Sequence, residues 1–360
     1  MKIGILTFHR ANNYGAVLQC YALQEFLKSL GHDTYVIDYR PDYVENRYKV
    51  FSRRYWIVRD LKKTFKKLLT EPYLCYIRYK RNKELDVFIM NRYNLYPYSP
   101  EESDLDVVIL GSDQIWNPKL TGNGFDEVFF GKGYKCRKVA YAASNRSEAL
   151  TPEEISFYKS HLCKLDFIGV RETKLQTLLQ PYTSKKVYLN IDPTLLTSKN
   201  WTAELNMTRV INTNYVMLYE VTRHLENRKL AKEYAKQEGY SFVELTGALA
   251  LSYRHTRHLD QTASPEKFLG YLKFASCIFT TSFHGTALSV LFEKDFYYIK
   301  QNTSADLRIE TLLKVLGLEN RIIDNINIPH SVPIVYDEIR RKLDTFRSES
   351  VNYLMHALTD

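Results

Sequence analysis

The sequence predicts two α/β domains, each a parallel sheet wrapped by helices, facing one another across a cleft. Three observations carry this expectation. The chain has 360 residues, more than one ordinary core holds when about 150 residues per domain is usual. Short β-like runs alternate with amphipathic helical patterns, the pattern of parallel sheets. The alternation restarts after Asp192-Pro193-Thr194, which places a boundary near 195–205. The expected units are 1–197, carrying a basic helical insertion over 53–92, then 198–335, then a C-terminal helix over 336–360 that packs back on the first unit.

In chain order, Ile3–Phe8 reads as a strand rather than a signal peptide, since its apolar run is short and lacks a small-residue cleavage site. A turn at Asn12-Asn13-Tyr14-Gly15 leads into a helix through Leu18, Tyr21, Ala22, Leu23, Phe26, Leu27 and Leu30, stopped by Gly31. Strands are expected at Tyr35–Tyr39, Asp106–Leu110, Lys138–Ala143, Phe167–Val170 and Lys186–Ile191. The second half repeats the logic with a strand at Tyr215–Tyr219, a helix at Leu225–Glu238, and strands at Ser241–Leu245 and Cys277–Thr281. A helix at His284–Phe292, a strand at Phe296–Ile299 and a helix from Tyr336 complete it.

Composition excludes several classes. Apolar residues make up 45% and charged residues 25%, which is globular rather than disordered. No apolar run approaches the roughly 18 residues of a membrane span. The five cysteines are widely spaced and odd in number, arguing against a disulfide framework and for a reducing, cytoplasmic setting. Net charge is +9, and the segment 53–83 holds the whole excess: eleven Lys and Arg against Asp60 and Glu71. Within it, residues 55–69 gather Ile57, Val58, Leu61, Phe65, Leu68 and Leu69 on one helical face and Arg59, Lys62, Lys63, Lys66 and Lys67 on the other. Such a face is either a solvated helix surface or a peripheral contact with anionic lipid at the inner face of a membrane. No nucleic-acid module accompanies it, and no nucleic-acid partner is expected.

Ligands of open α/β sheets bind beyond the carboxyl ends of the strands. The residues there are Asn12, Asn13 and Gly15; Ser112, Asp113 and Gln114; Ser144 and Asn145; Arg171; Asp192; and Ser282, His284 and Gly285. Gly111-Ser112-Asp113-Gln114-Ile115-Trp116-Asn117 is either a tight turn with Asp113 as a cap, or a sugar site where Asp113 binds hydroxyls and Trp116 stacks on a ring. At Ser282-Phe283-His284-Gly285-Thr286 a helix N-terminus and a His meet, a setting for phosphate or carboxylate; the alternative is a His that only packs. There is no G-x-x-x-x-G-K-[ST] loop, no G-x-G-x-x-G after a strand and no metal-ligand spacing, so no bound cofactor and no metal-ligating residue is expected, and the sequence leaves a metal requirement open.

Taken in order, Asn13-Tyr14-Gly15-Ala16-Val17-Leu18-Gln19, the 111–117 motif, Val170-Arg171-Glu172, Asp192-Pro193-Thr194-Leu195 and Ser282-Phe283-His284-Gly285-Thr286 resemble the polysaccharide pyruvyl transferase family. The likeness runs from residue 3 to about 318, where Arg308 and Leu316-Gly317-Leu318 fit the closing segment; Asp295 departs from it, standing where the family usually has Pro. The resemblance implies a GT-B-like pair of Rossmann-like domains. It also implies transfer of pyruvate from phosphoenolpyruvate, as co-substrate, to two hydroxyls of one sugar, giving a cyclic ketal. It places the donor phosphate on Arg171 and His284, with Ser282, Phe283, Gly285, Thr286 and Arg308 as further donor residues. His284 and Asp113 are the expected catalytic residues. Asn13, Gly15, Asp113, Gln114, Trp116 and Asn117 are the expected acceptor contacts. A polyprenyl-diphosphate-linked glycan is the expected acceptor, and the basic segment would meet it at the membrane. Two other readings compete: a glycosyltransferase of the same architecture using a nucleotide sugar, and a non-catalytic glycan- or lipid-binding protein.

Overall fold

A computed structural model describes residues 1–50, 61–249, 259–324, 327 and 333–359, and for 61–69 only the backbone. The first half runs β1 (Lys2–Leu6), α1 (Tyr14–Ser29), β2 (Asp33–Ile37), α2 (Asp42–Tyr48), α3 (Leu61–Arg92), β3 (Leu95–Tyr96), β4 (Val107–Asp113), β5 (Arg137–Ala143), α4 (Pro152–Leu162), β6 (Phe167–Val170), α5 (Thr173–Leu179), β7 (Val187–Leu189) and α6 (Pro193–Leu196). The second runs β8 (Tyr215–Glu220), α7 (Leu225–Gln237), β9 (Ser241–Thr246), β10 (Leu259–Asp260), α8 (Pro265–Phe274), β11 (Cys277–Thr280), α9 (Phe283–Leu291), β12 (Asp295–Ile299), α10 (Asp306–Leu316), β13 (Ile322–Ile323) and α11 (Tyr336–Thr359).

The two sheets have the strand orders β3-β2-β1-β4-β5-β6-β7 and β10-β9-β8-β11-β12-β13, and every pairing is parallel. The fold is therefore two parallel-sheet α/β domains. Central strands are covered on both faces and read as unbroken apolar runs: all seven residues of β4 and all four of β11 are buried. Strand order reverses between β1 and β4 in one sheet and between β8 and β11 in the other. Each reversal leaves a crevice at the carboxyl ends, and the residues that follow these four strands meet there.

Several local devices fix the geometry. Helix α1 starts at Tyr14, two residues earlier than a turn over 12–15 would allow, because the Asn13 side chain accepts the Gly15 N–H and caps it. Gly31, at φ 83, ends it in the left-handed conformation. Strand β4 continues through Gly111, Ser112 and Asp113, which sequence reading places in a turn. A Cβ on Gly111 would stand 2.2 Å from the Tyr141 carbonyl oxygen, so this glycine serves the β4–β5 pairing rather than a ligand's approach. Asp295, at the start of β12, accepts the Ile334 N–H and tethers the chain entering α11.

The halves are joined through an apolar cluster that draws on both, from Ile3, Val17 and Tyr21 to Phe268, Leu288 and Leu354. Tyr14 stacks on Phe268 at 4.4 Å and donates to the Ala263 carbonyl. Helix α11 crosses back: Tyr353 Oη donates to the Ala140 carbonyl, Ser350 Oγ accepts the Ile191 N–H, and Arg347 Nε donates to the Leu195 carbonyl. An apolar junction of this kind restrains relative domain motion. The basic face expected over 55–69 lies outside the described residues up to 60, and the remainder falls in α3. None of the tyrosines in 93–98 lines the cleft described below; Tyr93 Oη donates to the Val17 carbonyl and Tyr96 Oη to Asp104.

Arg81, on α3, spans the junction. Its Nε, Nη1 and Nη2 donate to the carbonyls of Gln261, Gly247 and Thr246 at 2.7, 2.5 and 2.7 Å. Arg81→Ala leaves three acceptors of the second half without their donor and is expected to cost about 2–4 kcal/mol. Urea unfolding reads this, and a loss under about 1 kcal/mol would contradict it.

Candidate active site

Five charged or polar side chains converge where the two crevices meet. Arg171 follows β6, Asp113 ends β4, Asp192 caps α6, His284 opens α9, and Arg308 lies in the first turn of α10. Arg171 Nη1 donates to Asp192 Oδ2 at 2.5 Å, and Nη2 to Asp113 Oδ1 at 3.2 Å. Asp192 Oδ1 accepts both the N–H and the hydroxyl of Thr194. His284 Nε2 stands 3.5 Å from Asp192 Oδ2, an electrostatic contact too loose for a hydrogen bond. Arg308 Nη1 lies 3.9 Å from Asp113 Oδ1, and the Phe283 ring carries Arg171 at 4.5 Å and Arg308 at 5.4 Å.

The cluster is dry: the side chains of Arg171 and Asp192 are 2% and 0% exposed. Burial opposes charge on Asp192, but His284 and Arg171 outweigh it and hold the carboxyl well below the usual carboxylate range. Burial opposes charge on Asp113 too, yet Arg171, His284 and Arg308 hold it below its ordinary value. Burial pushes Glu172 the other way, upward; its Oε1 accepts from Ser144 Oγ and its Oε2 has no partner. Burial beside Arg171 brings Arg308 down to about 10, still cationic at neutral pH.

A cleft of about 390 Å³ opens above Asp113, lined also by Phe8, Asn13, Tyr48, Gln114, Arg146 and Tyr219. Arg146 has a buried Nε without a partner and forms no ion pair among the described residues. It adopts the left-handed region at φ 63, as do Asp113 at φ 77 and neighbouring Ala142 at φ 48. Such residues cost about 1–3 kcal/mol each and gather at functional sites. Among the described residues, no group of three His, Cys, Asp or Glu side chains stands together as a metal site would require.

The family model described as polysaccharide pyruvyl transferase matches residues 13–302. The chain belongs to the polysaccharide pyruvyl transferase family. No curated protein matches it in sequence. Similar solved structures include UDP-GlcNAc 2-epimerase from Neisseria meningitidis bound to UDP-GlcNAc, 12% identical over 99% of this chain and 93% of that one, TM-score 0.48. Another is UDP-GlcNAc 2-epimerase from Methanocaldococcus jannaschii, 14% identical over 99% and 100%, TM-score 0.46. The glycosyltransferase SnogD from Streptomyces nogalater is 12% identical over 100% and 95%, TM-score 0.40. The family match ends before Arg308 and Leu316-Gly317-Leu318, which the sequence resemblance includes.

In this pyruvyl transferase family member, Asp113, Gln114 and Asn13 line the cleft, while Arg171, Phe283, His284 and Arg308 form the buried cluster against Asp113. Other expected contacts are corrected. Trp116 is fully buried, stacked on Phe130 at 5.0 Å with Nε1 donating to the Phe129 carbonyl, so it cannot lie beneath a sugar. Asn117 is spent on its own turn, donating to Gln114 Oε1 and accepting the Lys119 N–H. Thr286 is fully buried and donates to the Ser282 carbonyl, and Ser282 Oγ accepts the Gly285 N–H; these residues build the α9 N-terminus and do not reach a donor through their side chains. Gly15 is not among the residues lining the cleft; a Cβ there would stand 2.0 Å from His284 Nδ1, so it permits α1 to pack against that ring. Sequence reading stops at Asn145 and misses Arg146, one residue further along the same strand end.

Both aspartates are held below their ordinary values. Their stabilisation is therefore present above about pH 4, where unfolded carboxyls ionise, and is lost as pH falls below it. Urea midpoints between about pH 6 and pH 3 should fall steeply for the natural chain and less steeply for Asp192→Asn. Parallel slopes would contradict the assignment.

Proposed function

We propose that the protein transfers the pyruvyl group of phosphoenolpyruvate to two hydroxyls of one sugar in a surface or capsular polysaccharide intermediate, forming a cyclic ketal and releasing phosphate. The acceptor we favour is carried on a polyprenyl diphosphate. The observation that carries the reading is the charge inventory of the cleft. The donor brings a carboxylate and a phosphate on one carbon; Arg146 lines the cleft without an ion pair among the described residues, Arg308 lies in the buried cluster beside Asp113 at 3.9 Å, and the Nε atoms of both, like that of Arg171, are buried without partners. Arg171 has two of its nitrogens bound to Asp192 and Asp113. In this reading it positions both aspartates, and the donor's anions fall to Arg146, Arg308 and His284.

The chemistry balances on these groups. A proton added to the methylene carbon makes the neighbouring carbon electrophilic. One sugar oxygen adds there, the bond to the phosphate oxygen breaks, and phosphate leaves with the bonding pair. The second hydroxyl closes the ring. Of the two hydroxyl protons, one matches that gained by the new methyl group and the other that gained by phosphate. Asp113, ionised and lining the cleft, accepts a hydrogen bond from the acceptor hydroxyl and orients it. His284, against Asp192, moves the proton.

The test is phosphate release from phosphoenolpyruvate in the presence of lipid-linked glycan extracts, with acid-labile pyruvate recovered in the glycan fraction. Arg146→Gln should raise KM for phosphoenolpyruvate about tenfold or more, as loss of a charge-assisted contact does. His284→Ala should lower kcat at least about a hundredfold. Glycosyl transfer from a nucleotide sugar, with no phosphate release from phosphoenolpyruvate, would replace this reading.

A further inference from the structure

Ten large apolar side chains stand exposed among the described residues, and five of them belong to α3: Tyr73, Tyr76, Tyr79, Val87 and Met90. Tyr73, Tyr76, Lys80, Lys83, Val87 and Met90 follow one another at spacings of three and four, so they form one stripe along the helix, with Tyr79 beside it. Lys80 Nζ lies 5.0 Å over the Tyr76 ring. The opposite face is firmly seated. Cys75, Leu85, Phe88 and Ile89 are buried there, and Arg81 grips the second half of the chain. The exposed stripe is therefore an outer surface and not a displaced part of the core.

The same helix carries Lys62, Lys63, Lys66 and Lys67 in its first turns, and its 32 residues extend about 48 Å. We propose that this face of α3 docks on an anionic lipid bilayer, with tyrosine rings at the headgroup level, Val87 and Met90 in the acyl boundary and Lys80 and Lys83 against lipid phosphates. A second copy of the chain fits less well, since pairing the face with itself would set like charges together. A nucleic acid would leave Val87 and Met90 without a partner.

The face also lies where a surface-bound acceptor would enter. The cleft above Asp113 shares Asn12 and Tyr48 with two neighbouring recesses along α3, the outer of which ends at Asn82, Asp86 and Met90. That link to an acceptor rests on the proposed function, whereas docking itself rests on the helix face alone.

The experiment is co-sedimentation of the full chain with vesicles of phosphatidylcholine alone, or with about 30% phosphatidylglycerol, read without any catalytic step. Binding is expected only to the anionic vesicles, and about 0.5 M salt should release most of it. Tyr76→Ser/Tyr79→Ser/Val87→Ser and, separately, Lys80→Glu/Lys83→Glu should each weaken partitioning about tenfold or more. Circular dichroism and phosphoenolpyruvate binding should stay unchanged in both variants. The proposal is overturned if the natural chain ignores both vesicles, if neither variant weakens binding, or if sedimentation velocity shows a dimer that the triple variant dissociates. Loss of the pyruvyl transfer reading would leave the vesicle result standing, and a negative vesicle result would leave pyruvyl transfer standing.

Discussion

Arg171 is buried with a full charge, and the site is organised around that fact. A lone guanidinium in so dry a place would be prohibitive, so two carboxylates must face it. Asp192 and Asp113 do so from different elements, and each is held in turn: Asp192 by Thr194 and the electrostatic pull of His284, Asp113 by Arg308. Because Arg171, Asp113 and Asp192 belong to the first half while His284 and Arg308 belong to the second, one ion cluster registers the two sheets. Such a cluster adds little net stability over an apolar equivalent. What it does here is set the distance and angle at which α9 meets the end of β4.

This arrangement separates two tasks. Arg171, with both terminal nitrogens on aspartates, holds the frame, whereas Arg146 forms no ion pair among the described residues and Arg308 meets Asp113 only at 3.9 Å. The carboxyls are split likewise. Asp113 and Asp192 are drawn down by their cations, while Glu172, buried with one oxygen unpaired, is pushed up. Gly15 lets α1 approach the His284 ring directly, so the imidazole is fixed by helix packing in addition to charge.

Much of this was legible in the sequence. Central parallel strands are buried on both faces, and Val107–Leu110 and Cys277–Thr280 therefore announce themselves as apolar runs. Once the strands are placed, the residues after them are the site, which is how Asp113, Arg171 and His284 are found. Trp116 was misleading because the Phe130 ring that covers it is remote in sequence, and an indole beside Asp and Gln reads equally as sugar platform or core. Asn117 and Thr286 fail for a related reason: polar side chains near a ligand site also supply the hydrogen bonds that shape its turns. Arg146 carried a readable signal, a cation directly after a strand end. Its lack of an ion partner becomes visible only with the surrounding side chains in place.

The most direct test of the account is thermal unfolding with phosphoenolpyruvate, compared with a panel of nucleotide sugars. A ligand that binds only the folded state at 100 times its dissociation constant adds about 2.7 kcal/mol, a rise of a few degrees in Tm for a chain of this size. The account predicts that rise with phosphoenolpyruvate in the natural chain, and its loss when Arg146 and Arg308 are both replaced by glutamine. A rise with a nucleotide sugar alone, or a phosphoenolpyruvate response unaffected by the double replacement, would contradict it.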